Sequence, residues 1–227
     1  MVKYTNAILF TFNRGNAKVL ARQRVTLNAG DNSVVGNDRL PKMPKGSMVV
    51  ITDDVYQTMK MIGDISNEIK QEVPFLLFGH SEGQTVIFDD IEADKSGSAD
   101  NQEAVFSQEL AGKLTRFCRN AKKSENKIIA HGHSHPRIGN SYLNYSIADI
   151  NAYIDLRDKN DIVKNNVDVC GCLLTGGNYN FVFYDGRDIY RFDNVFVQMK
   201  NGEFGRLSAF GPDEKDLLNK YTRSGRV

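Results

Sequence analysis

Three of the four histidines of this chain fall in one stretch, Ala130-His131-Gly132-His133-Ser134-His135-Pro136. The run leading into it, 127–133, is apolar enough for a strand. On an extended backbone, side chains two residues apart point the same way. His133 and His135 can therefore present two imidazoles to one ion, and Pro136 ends the strand. Imidazole nitrogen is a good ligand for Zn²⁺, and a catalytic zinc takes three protein ligands and keeps a position for water. His131 shares the same face and reads as lining the groove or supporting the site. His80 reads as a turn residue.

A third ligand is needed. No Asp or Glu lies between Pro136 and Ala148, and the first carboxylate after the histidines is Asp149, three residues past Ser146. Ser146 reads as the N-cap of a short helix running to about residue 156. The i, i+3 spacing places Ser146 and Asp149 on one face at its start. Acids are also common at helix starts for their own sake, and Asp155 is the alternative carboxylate.

The pattern His-Ser-His-Pro followed by Ser-x-x-Asp resembles the JAMM metalloproteases (MPN+, JAB-domain or Mov34-like). The family pattern also has an upstream Glu, then apolar residues, then a Gly seven positions on. Glu72-Val73-Pro74-Phe75-Leu76-Leu77-Phe78-Gly79 fits it. The resemblance covers about residues 53–195. It implies zinc as the cofactor, with His133, His135 and Asp149 as its ligands. It further implies Glu72 as the base that activates a zinc-bound water, and Ser146 as a group that holds the oxyanion. Glu82 is the competing base, but it falls beyond Gly79, in what reads as a turn.

The sequence departs from the family pattern twice. Ten residues, 136–145, separate His135 from Ser146 where the family usually has seven. This reads as a three-residue loop expansion with the Ser-x-x-Asp unit intact. Phe75 stands where the family often has Gly. The fold that the resemblance implies is α+β, a JAB/MPN-like mixed sheet flanked by helices, of cytidine-deaminase-like kind. The implied activity is zinc-dependent isopeptidase or peptidase cleavage of an amide bond at a protein tail, a ubiquitin-like tail among the candidates. The tail would lie extended beside a sheet edge. Family members that have lost ligands act as scaffolds, so a non-catalytic or partner-activated MPN-type module is the alternative. The full set of Glu72, His133, His135, Ser146 and Asp149 argues for the enzyme. A homodimer or an activating protein partner is a further expectation.

The chemistry is coherent without the family name. Zinc lowers the pKa of bound water toward about 7 and polarises a carbonyl. A nearby carboxylate can take the proton and deliver it to the leaving amine. A hydroxyl aimed at the developing oxyanion stabilises the transition state, and losing one such donor costs on the order of 3 kcal/mol.

The elements that must position these groups are strands and helices in mixed order. Residues 3–12 and 17–25 read as a β-hairpin about a turn at 13–16, and 28–46 as a long loop. A short strand at 47–51 precedes a helix over about 53–71. There Thr52-Asp53-Asp54 makes the start, and Val55, Met59, Ile62, Ile65 and Ile69 recur at helical spacing. Pro74 stops that helix. Strands follow at 75–78 and 85–88 around a turn at 79–83, then a polar loop at 94–101 and a second helix at 102–118. Strands at 167–175, 180–184 and 189–197 and a terminal helix at 212–221 complete the reading, which is α+β. The expected organisation is an N-terminal β extension over 1–50 packed on the core, a metalloprotease domain over 51–200 and a C-terminal extension over 201–227.

Composition narrows the partners. Lys+Arg is 29 against Asp+Glu 28, a net charge of +1, so neither nucleic acid nor an anionic membrane is expected. Hydrophobic residues at 41% suffice for a sizeable core, and no apolar stretch approaches the roughly 18 residues of a membrane span. The apolar piece at 7–12 is too short for a signal peptide. Cys118, Cys170 and Cys172 are an odd count that does not read as a disulfide framework, so a reducing, cytoplasmic setting is expected. Cys170 and Cys172 read as core residues rather than a metal or redox pair. Lys113, Arg116, Arg119, Lys122, Lys123 and Lys127 read as a solvated basic face, with an acidic partner surface as the alternative.

Overall fold

β-Branched and aromatic runs bounded by Gly, Asn and Asp supply the strands, and amphipathic stretches with acidic first turns supply the two longest helices. A computed structural model describes residues 6–9, 23–26, 34–35, 40–94, 106–121, 125–136, 144–175 and 177–207. In chain order the strands and helices begin with β1 (Asn6–Leu9), β2 (Gln23–Thr26), β3 (Val34–Val35), β4 (Met48–Thr52) and α1 (Asp53–Ile69). A hairpin of β5 (Pro74–Glu82) and β6 (Thr85–Ala93) follows, then α2 (Gln108–Asn120) and β7 (Lys127–His135). Next come β8 (Tyr145–Ser146), α3 (Ile147–Asp158), α4 (Asp161–Asn166) and β9 (Asp168–Thr175). Last are β10 (Asn178–Tyr184), β11 (Ile189–Arg191), β12 (Val195–Gln198) and β13 (Phe204–Leu207).

The fold is α+β. One mixed sheet runs in the order β11-β10-β9-β7-β5-β6-β4-β12-β13. β4 is parallel to both β6 and β12, and β7 is parallel to β9; the other neighbours are antiparallel. The sheet curls. The segment just before β4 bonds back to β11 at the opposite end, Met43 N to Arg191 O at 2.9 Å and Arg191 N to Pro41 O at 2.8 Å. β1 and β2 pair antiparallel as the hairpin reading expects, although its turn lies outside the described residues.

Alternation along the central strands decides which helix each side chain meets. Phe75 and Leu77 face α1, packing with its Val55, Met59 and Ile62. Leu76 and Phe78 face the other way, onto Leu110, Leu114 and Cys118 of α2 and Val163 of α4. Farther along that second face, Ile150 and Tyr153 of α3 cover Leu173 and Val182. All four β5 side chains are at most 1% exposed, and burying each stabilises the fold by about 1.5–3 kcal/mol. On β7, Ile128 and Ala130 join the α1 side and Ile129 the other. His131, His133 and His135 therefore share the face covered by α2 and α3. No helix among the described residues is long and apolar enough to cross a membrane.

Several boundaries differ from the sequence reading. The turn between β5 and β6 is tighter than 79–83. Gly83, at φ 59°, makes it, while Gly79 lies in the strand, where an added Cβ would run into the Ile87 carbonyl. His80 and Glu82 are thus strand residues, not turn residues. α2 starts at Gln108 rather than 102, because Ser107 caps it: its Oγ accepts from Leu110 N at 3.3 Å, and its N–H donates to Asp94 Oδ2 at 2.6 Å. The stretch 189–197 splits into β11 and β12, since Val49 N donates to Asn194 O at 2.9 Å and ties the chain there to β4. β3, inside the stretch 28–46 read as a long loop, pairs with β8, Val34 opposite Ser146. The terminal helix at 212–221 lies outside the described residues.

Candidate metal centre

The centre is assembled where β5, β7 and α3 meet. β7 carries the histidines. The β5–β7 register sets Pro74 opposite His133, so Glu72, two residues earlier, comes beside His135. α3 brings in the last group through its own start. Ser146 Oγ accepts from Asp149 N at 3.1 Å, and Asp149 Oδ2 accepts from Ser146 N at 2.6 Å. This is a capping box, which holds both residues at the mouth of the helix.

The distances close on one point. His133 Nε2 and His135 Nε2 are 3.0 Å apart. Asp149 Oδ1 is 3.2 Å from His133 Nε2, and Oδ2 is 3.8 Å from His135 Nε2. Glu72 Oε1 is 3.4 Å from His135 Nε2. Ligand atoms of Glu72, His133 and His135 lie within 4.8 Å of one another, a group able to hold a metal ion. Two nitrogens at about 2.0–2.1 Å from a tetrahedral zinc would stand about 3.3 Å apart, so this donor set fits a divalent cation. The two carboxylates differ in setting: the Asp149 side chain is 13% exposed and that of Glu72 42%.

Electrostatics couple the buried pair. Burial alone would lower the His133 imidazole, but the Asp149 carboxylate, with Glu72 behind it, overrides burial and raises its pKa. Burial would raise Asp149, yet the His133 charge and hydrogen bond, then His135 and the Ser146 N–H, hold it well below the usual carboxylate range. A buried carboxylate kept charged beside imidazoles is the electrostatic setting a cation needs.

His131 lies one row deeper and does not join the cluster. Its ring sits 4.5 Å from Phe106 and edge-on to Tyr153 at 5.5 Å. Burial, then the neighbouring His133, lowers its pKa to about 3, with Asp149 opposing. Its ring nitrogens have no hydrogen-bond partner among the described residues. Glu82 sits at the far end of β5, 3.4 Å from His80 Nε2, and Asp155 pairs with Lys159 at 2.6 Å. Neither reaches the cluster.

Ser146 can serve two roles. Its hydroxyl oxygen accepts the Asp149 N–H, which leaves its own proton free to donate. Phe75, the departure from the family pattern, lies across the strand from Gly132, where an added Cβ would collide with its ring. The Phe75 ring occupies the space that the missing side chain of Gly132 leaves open. Cys170 and Cys172 are free and buried in the α1-side core. The sequence reading missed Thr175. It is 1% exposed, in register with His135 across β7 and β9, and its hydroxyl has no partner among the described residues. No sequence signal announces it, because the pairing of β7 with β9 is a tertiary fact. Of the expanded loop, 137–143 lie outside the described residues.

A scan against protein-family models finds no match, and a search of curated proteins likewise finds none.

Proposed function

We propose that the chain is a zinc-dependent hydrolase of an amide bond, of the JAMM/MPN+ kind. In this reading His133, His135 and Asp149 hold the metal, Glu72 is the base and Ser146 supports the oxyanion. The observation that carries the proposal is the meeting of two imidazole Nε2 atoms, 3.0 Å apart, with two carboxylates at the ends of the central strands. When bound, zinc would acidify a water and polarise a carbonyl. Asp149 suits the ligand role because its carboxylate is buried and pinned by the Ser146 N–H. Glu72 suits the base role because it is partly open to solvent, within reach of what the histidines hold. It takes a proton there and passes it to the leaving amine. The Ser146 hydroxyl proton is available for the oxyanion.

The substrate in this reading is an extended protein tail, a ubiquitin-like one included, and a second copy or another protein is a candidate activator. Three free, buried thiols suit a reducing compartment such as the cytoplasm. The test is metal analysis of the purified protein together with a panel of tail-fused substrates, with and without chelator. Zinc at about one per chain and chelator-sensitive cleavage are expected, with Glu72→Gln keeping the metal and losing turnover. Protein that holds zinc but cleaves nothing would favour the scaffold reading. A fully active Glu72→Gln protein would refute the base.

A further inference from the structure

Glu72 lies in the short connection between α1 and β5, where neither helix nor strand fixes the backbone. Lys70 has already left the helix, at φ 58°, and Pro74 has no N–H to bond. Both peptide planes that flank Glu72 are nevertheless held. On the plane before it, the Gln71 carbonyl accepts the Ser66 hydroxyl at 2.6 Å. On the plane after it, the Val73 N–H donates to Ser134 Oγ at 3.0 Å. Ser134 N returns a bond to Val73 O at 3.1 Å. In an antiparallel pair the Val73 N–H would go to the opposite backbone carbonyl; here a side chain takes that place.

The two serines are 0% and 1% exposed, so neither bond is exchanged for one to water. Ser66 shares the buried stripe of α1 with Val55, Met59 and Ile62. A hydroxyl among apolar neighbours is costly unless it is bonded, and the Gln71 carbonyl is its partner. Ser134 points from β7 to the face opposite the histidines.

We infer that Ser66 and Ser134 form a two-hydroxyl clamp on the planes flanking Glu72 and hold its carboxylate over the histidine cluster. They are positioning residues, and the inference rests on the reading of Glu72 as the base. A catalytic group must be held within about 0.5 Å of its working place, and the clamp supplies what the connection itself lacks.

The test needs no substrate. Cobalt(II), whose visible spectrum reports its surroundings, is added to chelator-treated full chain, and the spectrum is followed against pH. Glu72→Gln is expected to displace the midpoint of that profile. Ser134→Ala is expected to move it most of the way in the same direction, and to move it no further when added to Glu72→Gln. Ser134→Thr, which keeps the hydroxyl, stays with the wild type, and Val73 amide exchange quickens in Ser134→Ala. Ser66→Ala gives the same comparison if Ser134→Ala does not fold. A Ser134→Ala profile that overlays the wild type while Glu72→Gln is displaced overturns the clamp and leaves the metal reading standing. A displacement that adds in full to that of Glu72→Gln makes Ser134 merely structural and also overturns it. A Glu72→Gln profile identical to the wild type removes the base and the clamp with it. Wild-type protein that takes up no cobalt overturns both the metal reading and the clamp.

Discussion

Replacing His131 by Phe should make the metal-free protein more resistant to acid. His131 is 6% exposed and lies against Phe106 and Tyr153. Its pKa falls to about 3, by burial first and the His133 charge second, against about 6.5 for a free imidazole. Between these values the unfolded chain binds a proton that the folded chain refuses. Stability linked to His131 is therefore complete above pH 6.5 and drains away as pH falls toward 3. Each pH unit in that window is worth about 1.4 kcal/mol, so roughly 2 kcal/mol is lost between pH 7 and pH 5. His131→Phe keeps a ring in the aromatic box and removes the titration. Urea unfolding at pH 7, 6 and 5 with chelator present measures the difference. The other groups cancel between the two proteins. His133, whose pKa is raised, contributes stability below its unfolded value that is lost as pH rises; Asp149, whose pKa is lowered, contributes above its own that is lost as pH falls. Equal losses in wild type and variant would mean that His131 is protonated or solvated in the fold, and the argument fails.

Asp149→Asn should retain the helix start, since an amide oxygen also caps, while metal affinity drops by orders of magnitude. Competition with a chromophoric chelator and circular dichroism separate the two effects. Ser146→Ala should cost about 1 kcal/mol through the lost cap. It should also lower kcat about 100-fold at unchanged KM if the hydroxyl supports the oxyanion; a change in stability alone would remove that role. Gly171→Ala should lower stability by about 1–3 kcal/mol, because the added Cβ runs into the Tyr153 ring. Thermal unfolding of the metal-free protein reads this directly.

The candidate centre was legible in proportion to how local its parts are. His133 and His135 follow from the two-residue period of a strand, and Ser146 with Asp149 from one turn of helix, so spacing alone brings each pair together. Glu72 needed the resemblance, because its place beside His135 depends on the β5–β7 register. Ser66, Ser134 and Thr175 were not legible. Their placement rests on pairings across strands or between a helix and the connection after it. The same limit applies to the fold. The amphipathic period of α1 placed that helix well, whereas α2 was read too early because an apolar stripe does not reveal that Ser107 is tied to Asp94. The sheet order, with β4 parallel to both β6 and β12, rests on crossovers that local patterning does not encode.

Asp149 divides its oxygens between two masters. Oδ2 is committed to the Ser146 N–H at 2.6 Å, and Oδ1 is turned to His133. A cation held here would compete with His133 for Oδ1, while the Ser146 N–H keeps its hold on Oδ2. Uptake of an ion at Asp149 would then be linked to the winding of the first turn of α3, each drawing the other forward.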